Sequence, residues 1–324
     1  MIIKKTALVL TTLLIANTAL ADNYPKEEKT TNFIVTPSVA YRYDVFKWSI
    51  PHPDFDKKGS ELTWKNYIVQ PSIKIETEPQ PNSFTFLGQG KYGYILKDKS
   101  KSWDKDWKFP KIKGSKERIT KIDSNKVSAV KGNILDLSGA IGYSVNLFNN
   151  NLLTFYLGYD YTAYKNNQYG IRRLVNNRND IILSSDQLVT RYNFQTKAPW
   201  VGLSFNIPLN DKFLVKPTIK YYSFKYIGKG YWLFRDDFKK NPSFKDTARG
   251  QGLGAEADLV YKYSDHLDFN INLETKIFKM KKGNQQTFLA VDRVNHKPER
   301  VDTGKLLGLS LTSYSISGGI KYKF

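Results

Sequence analysis

The chain has no cysteine and only three histidines, His52, His266 and His296. The first absence excludes disulfides, thiol catalysis, thiolate metal sites and a lipid-anchored N-terminal cysteine. The second argues against a histidine-rich metal centre, and no metal site is expected. Beyond residue 21 there is also no long apolar run. A transmembrane helix needs about 20 predominantly apolar residues, so none is expected in that region. Window hydropathy alone reads such a chain as water-soluble. A β-barrel escapes that test, because only alternate residues of each strand meet lipid.

What is present points to such a barrel. Tyr and Phe are abundant, 21 and 19 of 324 residues, as β-rich segments and aromatic girdles require. At the start, Lys4 and Lys5 precede an apolar stretch from Ala7 to Leu20 that closes on Ala19-Leu20-Ala21. A basic start, a short apolar middle and an A-x-A ending predict a signal peptide over residues 1–21. The barrel is then expected over 22–324. At the other end, Thr312, Tyr314, Ile316, Gly318, Ile320, Tyr322 and Phe324 alternate with Ser313, Ser315, Ser317, Lys321 and Lys323. A period of two sends these sets to opposite faces of a strand. The ending resembles the final strand of a bacterial outer-membrane barrel.

Alternation recurs along the chain. It marks strands over 33–45, 84–94, 135–147, 153–161, 201–207, 213–221, 253–263, 267–277 and 306–324, with a weaker one over 61–75 whose apolar phase slips near Trp64–Tyr67. Connections alternate in length. Short ones fall near 78–82, 148–151, 208–212 and 264–266, and long ones near 48–60, 98–131, 168–187, 231–249 and 281–305. The expected fold is all-β: a ten-stranded antiparallel transmembrane β-barrel with five long outer loops and short periplasmic turns. Its expected place is the bacterial outer membrane, with the loops facing the cell exterior. Ten strands leave an interior that side chains can largely fill. Arg42, Asp44, Glu256, Asp258, Glu274 and Lys276 are expected to face inward, as a paired salt-bridge plug or as the lining of a pore.

Charge is one-sided, with 50 Lys plus Arg against 30 Asp plus Glu, a formal +20. Such a surplus attracts anionic partners, and around a barrel the anionic lipopolysaccharide leaflet is the expected one. Outer-membrane lipid is expected too, and nucleic acid is not. The sharpest chemical motif is Trp103-Asp104-Lys105-Asp106-Trp107. In an extended strand Asp104 and Asp106 share a face. Two close carboxylates can hold a proton and a water between them. A D-x-D in a solvated loop is the plain alternative.

The chain resembles the omptin family of outer-membrane proteases. The D-x-D-W element carries the resemblance, together with Ser60-Glu61-Leu62-Thr63-Trp64-Lys65, Lys197-Ala198-Pro199-Trp200-Val201-Gly202-Leu203, Lys281-Lys282-Gly283-Asn284 and Ile320-Lys321-Tyr322-Lys323-Phe324. It implies a water-mediated endopeptidase that cuts beside basic residues. Asp104 and Asp106 match one catalytic pair. Asp236 matches the Asp of a facing Asp-x-His pair, but Phe238 stands where His is expected. Phe cannot accept a proton, so a working enzyme would depend on carboxylates alone and favour acid. The resemblance further implies acids that hold a basic substrate residue, for which Asp54 and Asp56 are candidates. It implies no cofactor beyond a required lipopolysaccharide, for which Arg172, Arg173 and Arg178 are candidate ligands, guanidinium forks being suited to phosphate. Three readings follow: an omptin-like endopeptidase acting on a peptide or protein, an inactive barrel of that shape that binds or adheres, and a small porin.

Overall fold

The computed structural model describes residues 33–52, 55–107, 122–147, 151–175, 178–234, 236–290 and 299–324. The expected signal peptide lies outside these residues. Twelve strand segments follow one another, β1 (Phe33–His52), β2 (Phe55–Thr77), β3 (Ser83–Ile95), β4 (Lys101–Trp107), β5 (Ile122–Asn146), β6 (Leu152–Val175), β7 (Arg178–Pro208), β8 (Phe213–Trp232), β9 (Phe244–Lys262), β10 (Leu267–Leu289), β11 (Arg300–Leu306) and β12 (Gly308–Lys323). β3 and β4 both lie between β2 and β5 and form one broken wall strand. β11 and β12 likewise follow one another along β10. The wall therefore has ten strands, all antiparallel to their neighbours. The first closes on the last, with Tyr43 opposite Tyr314 in β12 and opposite Tyr67 in β2. Closure leaves the spanning strands no open edge, as hydrocarbon requires.

One end of the barrel carries short turns, at 78–82 and 263–266 for example, and the other carries long hairpins. The long connections expected from sequence are mostly strand. β7 begins at Arg178, where alternation in the apolar phase first appears only at Val201. The reason is an inversion of polarity along each wall strand. Near the turn end the outward side chains are apolar and exposed, as with Val201, Ile219, Leu253, Ile271 and Ile316. These form the belt that meets lipid. Past the belt the outward residues are polar and the inward ones apolar. On β7, Arg191 and Lys197 are exposed while Tyr192, Phe194 and Ala198 are buried. The same change explains the slipped phase on β2, where Leu62, Trp64 and Ile68 turn inward and Lys65 outward.

The lumen is filled in layers. At the turn end, Glu76 meets Lys74 at 3.1 Å, Lys216 at 3.4 Å and Lys321 at 3.9 Å. In the middle, Arg42 grips Asp44 at 2.8 Å and Asp136 at 2.7 Å. Beside it, Lys276 joins Glu274 at 2.8 Å and Asp160 at 3.2 Å, Lys91 joins Glu274 at 2.6 Å, and Lys220 pairs with Glu256. All six inward residues read from the sequence face the lumen, each held in an ion pair or hydrogen bond. Acids and bases alternate here because a buried charge without a partner is costly. Toward the hairpin end the filling turns aromatic. Phe46, Trp64, Tyr192, Phe194 and Tyr226 are all at most 3% exposed, with Phe46 and Phe194 stacked at 4.5 Å and Trp64 and Tyr192 at 5.0 Å.

Candidate functional site

Asp104 and Asp106 lie on β4 at the hairpin end. Asp104 stands opposite Leu62 and Lys126, and Asp106 opposite Ser60 and Ser124. Both share the inward face with buried Ser102 and Leu62. The alternate residues turn outward, where Lys65 Nζ sits 5.0 Å from the Trp103 ring and Lys58 Nζ 5.4 Å from that of Trp107. Strand periodicity thus separates the WDKDW motif into an inner acidic pair and an outer cation–aromatic pair.

The other expected catalytic residue, Asp236, stands on a different hairpin, with Phe238 two positions later. Asp236 lies in the connection between β8 and β9, across the ring from β4. Its side chain is fully exposed, and its carboxylate accepts from Lys240 Nζ at 3.3 Å. Phe238 forms a β-bridge with Leu289 and packs its ring 4.8 Å from Phe244. The position where a histidine would act is therefore part of the hairpin packing. His266 lies exposed in a short turn at the opposite end. His296 and Asp54 lie outside the described residues. His52 and Asp56 are placed by backbone alone, at the ends of β1 and β2.

Of the basic candidates, Arg172 is exposed on the outward face of β6, opposite Val127, which itself stands opposite Trp103. Arg173 and Arg178 are described by backbone, opposite Lys126 and Val175. A denser basic feature lies closer to the belt. Lys197 on β7 stands opposite Lys225 on β8, and Lys225 opposite Arg249 on β9. All three are exposed and point outward, just past Pro199, Tyr221 and Leu253. Directly opposed residues lie about 5 Å apart between Cα atoms, so like charges there repel. No local pattern marks this row, because its members are 24 to 52 positions apart and only the register aligns them. Lys47, Lys65, Lys131, Lys165 and Lys279 are likewise exposed past the belt on other strands.

The lumen offers little free space. A gap lined by Lys91, Asp136, Asp160, Lys220, Glu256 and Lys276 measures about 10 Å³, the lower limit for a single water. Asp136 is saturated by Arg42, by Gln70 at 2.7 Å and by Thr162 at 2.6 Å. Asp160 accepts from Trp200 Nε1 and Ser138, each at 2.7 Å.

At the aromatic layer sits another buried acid. Asp246 on β9 is 0% exposed. It accepts from Tyr192 Oη at 2.5 Å and Gln285 Nε2 at 3.0 Å, and Tyr192 Oη lies 2.7 Å from Tyr226 Oη. Burial lifts its carboxyl to about 6, against the pull of those donors. Asp246 falls seven residues beyond Leu253, outside the lipid belt. Nothing in its sequence context, Phe-Lys-Asp-Thr-Ala, marks it as buried.

A closed ten-strand barrel with an apolar belt, a charged lumen and tall hairpins is the build of a bacterial outer-membrane protein. The chain belongs to the Protochlamydia outer membrane protein family, Pom, whose model matches residues 37–324. No curated protein sequence matches it. Among solved structures it is similar to the outer membrane protease OmpT of Escherichia coli, at 13% identity and a TM-score of 0.68, over 92% of this chain and 99% of that one. The translocator domain of the autotransporter NalP of Neisseria meningitidis gives 9% identity and a TM-score of 0.37, over 99% and 98%. The outer membrane protein OprG of Pseudomonas aeruginosa gives 12% and 0.31, over 91% and 97%. The likeness to OmpT is one of fold, and the protein's place is the bacterial outer membrane.

Proposed function

We propose that this protein is a non-catalytic barrel that binds anionic partners at its hairpin end, the phosphates of lipopolysaccharide first among them. The observation that carries the reading is the row Lys197, Lys225 and Arg249, three exposed cations in direct register at the belt's edge. Such a row costs repulsion in isolation and becomes favourable when a phosphate sits between its members. The hairpins then face the cell exterior, where lipopolysaccharide lies. Arg172 extends the basic surface further up the wall. Asp104 and Asp106 lie on β4, while Asp236, on another hairpin, is exposed to solvent beside Lys240.

The test is refolding with and without lipopolysaccharide, followed by heat-modifiable gel mobility and by cleavage of peptides rich in Lys and Arg from acid to alkaline pH. The expected outcome is a lipopolysaccharide-dependent gain in folded yield, abolished when Lys197, Lys225 and Arg249 are all changed to Gln, with no cleavage at any pH. Cleavage lost in Asp104→Asn and Asp106→Asn would restore the endopeptidase reading.

A second reading, a small porin, is favoured by the mid-lumen lining, which is rich in charges of both signs. Planar-bilayer conductance separates the two, since the packed aromatic layer should keep the barrel silent. Steady single-channel steps from the unmodified protein would favour the porin.

A further inference from the structure

The carboxylate of Asp246 is enclosed by the layer that seals the lumen. From β7 it faces Tyr192 and, one hydroxyl further, Tyr226 of β8. From β10 it faces Gln285. From β1 the Trp48 indole nitrogen points toward it without completing a full hydrogen bond. Of these only the two tyrosines titrate, and burial holds both above their ordinary range. On β9 itself, Lys245 and Arg249 belong to the alternate, outward face. Among the described residues no Lys, Arg or His pairs with it, in contrast to the lumen acids Asp44, Glu76, Asp136, Asp160, Glu256 and Glu274, each of which meets a cation.

We propose that Asp246, Tyr192 and Tyr226 form a proton-operated latch on the aromatic layer, tight while Asp246 holds its proton and looser once the carboxylate ionises. With the proton on, Asp246 donates to Tyr192, and Tyr192 donates on to Tyr226. With it off, Asp246 accepts from Tyr192 and Gln285, and Tyr226 donates to Tyr192. The relay reverses without moving heavy atoms, so both states are reachable in one fold. They differ in cost: the ionised state leaves a negative charge beside Tyr192, whose ring packs on Phe46, Trp64 and Phe194, with no cation among the described residues to offset it. An opened layer that admits water removes that cost, so ionisation favours opening. The latch is independent of what the hairpins bind.

The sign follows from linkage. A carboxyl near 6 in the closed state and near its ordinary value of about 4 in the wetted, open one binds its proton more tightly when closed. Opening becomes about tenfold more frequent per pH unit from about 4 to 6, then levels off, about 100-fold in all.

The experiment uses the full mature barrel refolded in detergent micelles. Difference infrared spectroscopy should show a protonated carboxyl band lost with a midpoint near pH 6, absent from Asp246→Asn. Hydrogen exchange, corrected for its intrinsic pH dependence, should accelerate at Tyr192, Tyr226 and Asp246 between pH 4 and 6 and be flat in that variant. A variant with His52, His266 and His296 all changed to Gln should keep both signals, since histidine also titrates near this range. If Asp246→Asn fails to fold by gel mobility, the unmodified protein and the histidine-free variant still decide. No carboxyl titrating near pH 6, or exchange unchanged across that window, overturns the latch.

Discussion

Arg42 on β1 reaches across the lumen to Asp136 on β5, with Nη1 and Oδ2 2.7 Å apart. The same guanidinium bonds Asp44 through Nε and Tyr164 through Nη2, and Tyr164 in turn donates to Asp44 at 2.5 Å. One cation thus ties β1 across the lumen to the adjacent strands β5 and β6, neither of which is its neighbour in the wall. Arg42→Met should destabilise the barrel by about 3–5 kcal/mol, because two buried carboxylates lose their shared partner. Adding Asp44→Asn and Asp136→Asn to it should recover much of the loss. Urea titration read by gel mobility measures both.

Gly132 on β5 lets the backbone of β6 approach closely. A Cβ there would lie 1.7 Å from the carbonyl oxygen of Lys165. Neither strand can yield without breaking the ladder, so Gly132→Ala should cost several kcal/mol, about the upper range for point substitutions. Gly88, whose Cβ would meet nothing within 4 Å, is the control and should tolerate Ala. Folded yield distinguishes them.

Trp64 is 0% exposed and touches both Phe46 and Tyr192. Trp64→Ala should cost about 3–5 kcal/mol and open a void in the seal. Urea titration read by gel mobility should show the loss, while bilayer recordings should stay silent, because the ion-paired layer still fills the mid-lumen.

Lys197, Lys225 and Arg249 repel one another without a bound anion. In detergent free of anionic lipid, Lys225→Gln should raise stability slightly, by about 0.2–1 kcal/mol. In lipopolysaccharide the same change should lower it. A reversal of sign between two urea titrations is the readout.

Asp246 makes stability depend on pH. Its carboxyl is raised to about 6 by burial, so its contribution is fully present below about pH 4 and is lost as pH rises to 6. The difference is at most about 3 kcal/mol. Asp246→Asn should flatten that slope in thermal melts between pH 4 and 7.

How much of this was legible depended on which solvent each stretch of wall faces. Along β12, apolar residues meet lipid and polar ones meet the lumen, so Tyr314, Ile316 and Ile320 alternate with Ser315 and Lys321 in the pattern expected of a barrel. Past the belt the same strands meet water outside and pack against one another inside. Tyr192, Phe194 and Trp64 then occupy inward positions that the belt's phase assigns to polar residues. A rule tuned to one phase reads the second as loop, which is why β7 is legible from Val201 but not from Arg178. The WDKDW motif is legible in the chain, and its strand geometry followed from a period of two. The fate of Asp236 and Phe238 did not, because hairpin packing against Leu289 and Phe244 decides it.

The all-β barrel, its ten-strand rhythm and the inward set from Arg42 to Lys276 are written locally in the chain, since period-two alternation needs no distant partner. Tertiary structure alone decided who meets whom. It joined Arg42 to Asp136, aligned Lys197 with Lys225 and Arg249, and enclosed Asp246 with no cation partner among the described residues. Closure of the sheet sets strand register and cross-lumen distance, and no local pattern encodes either.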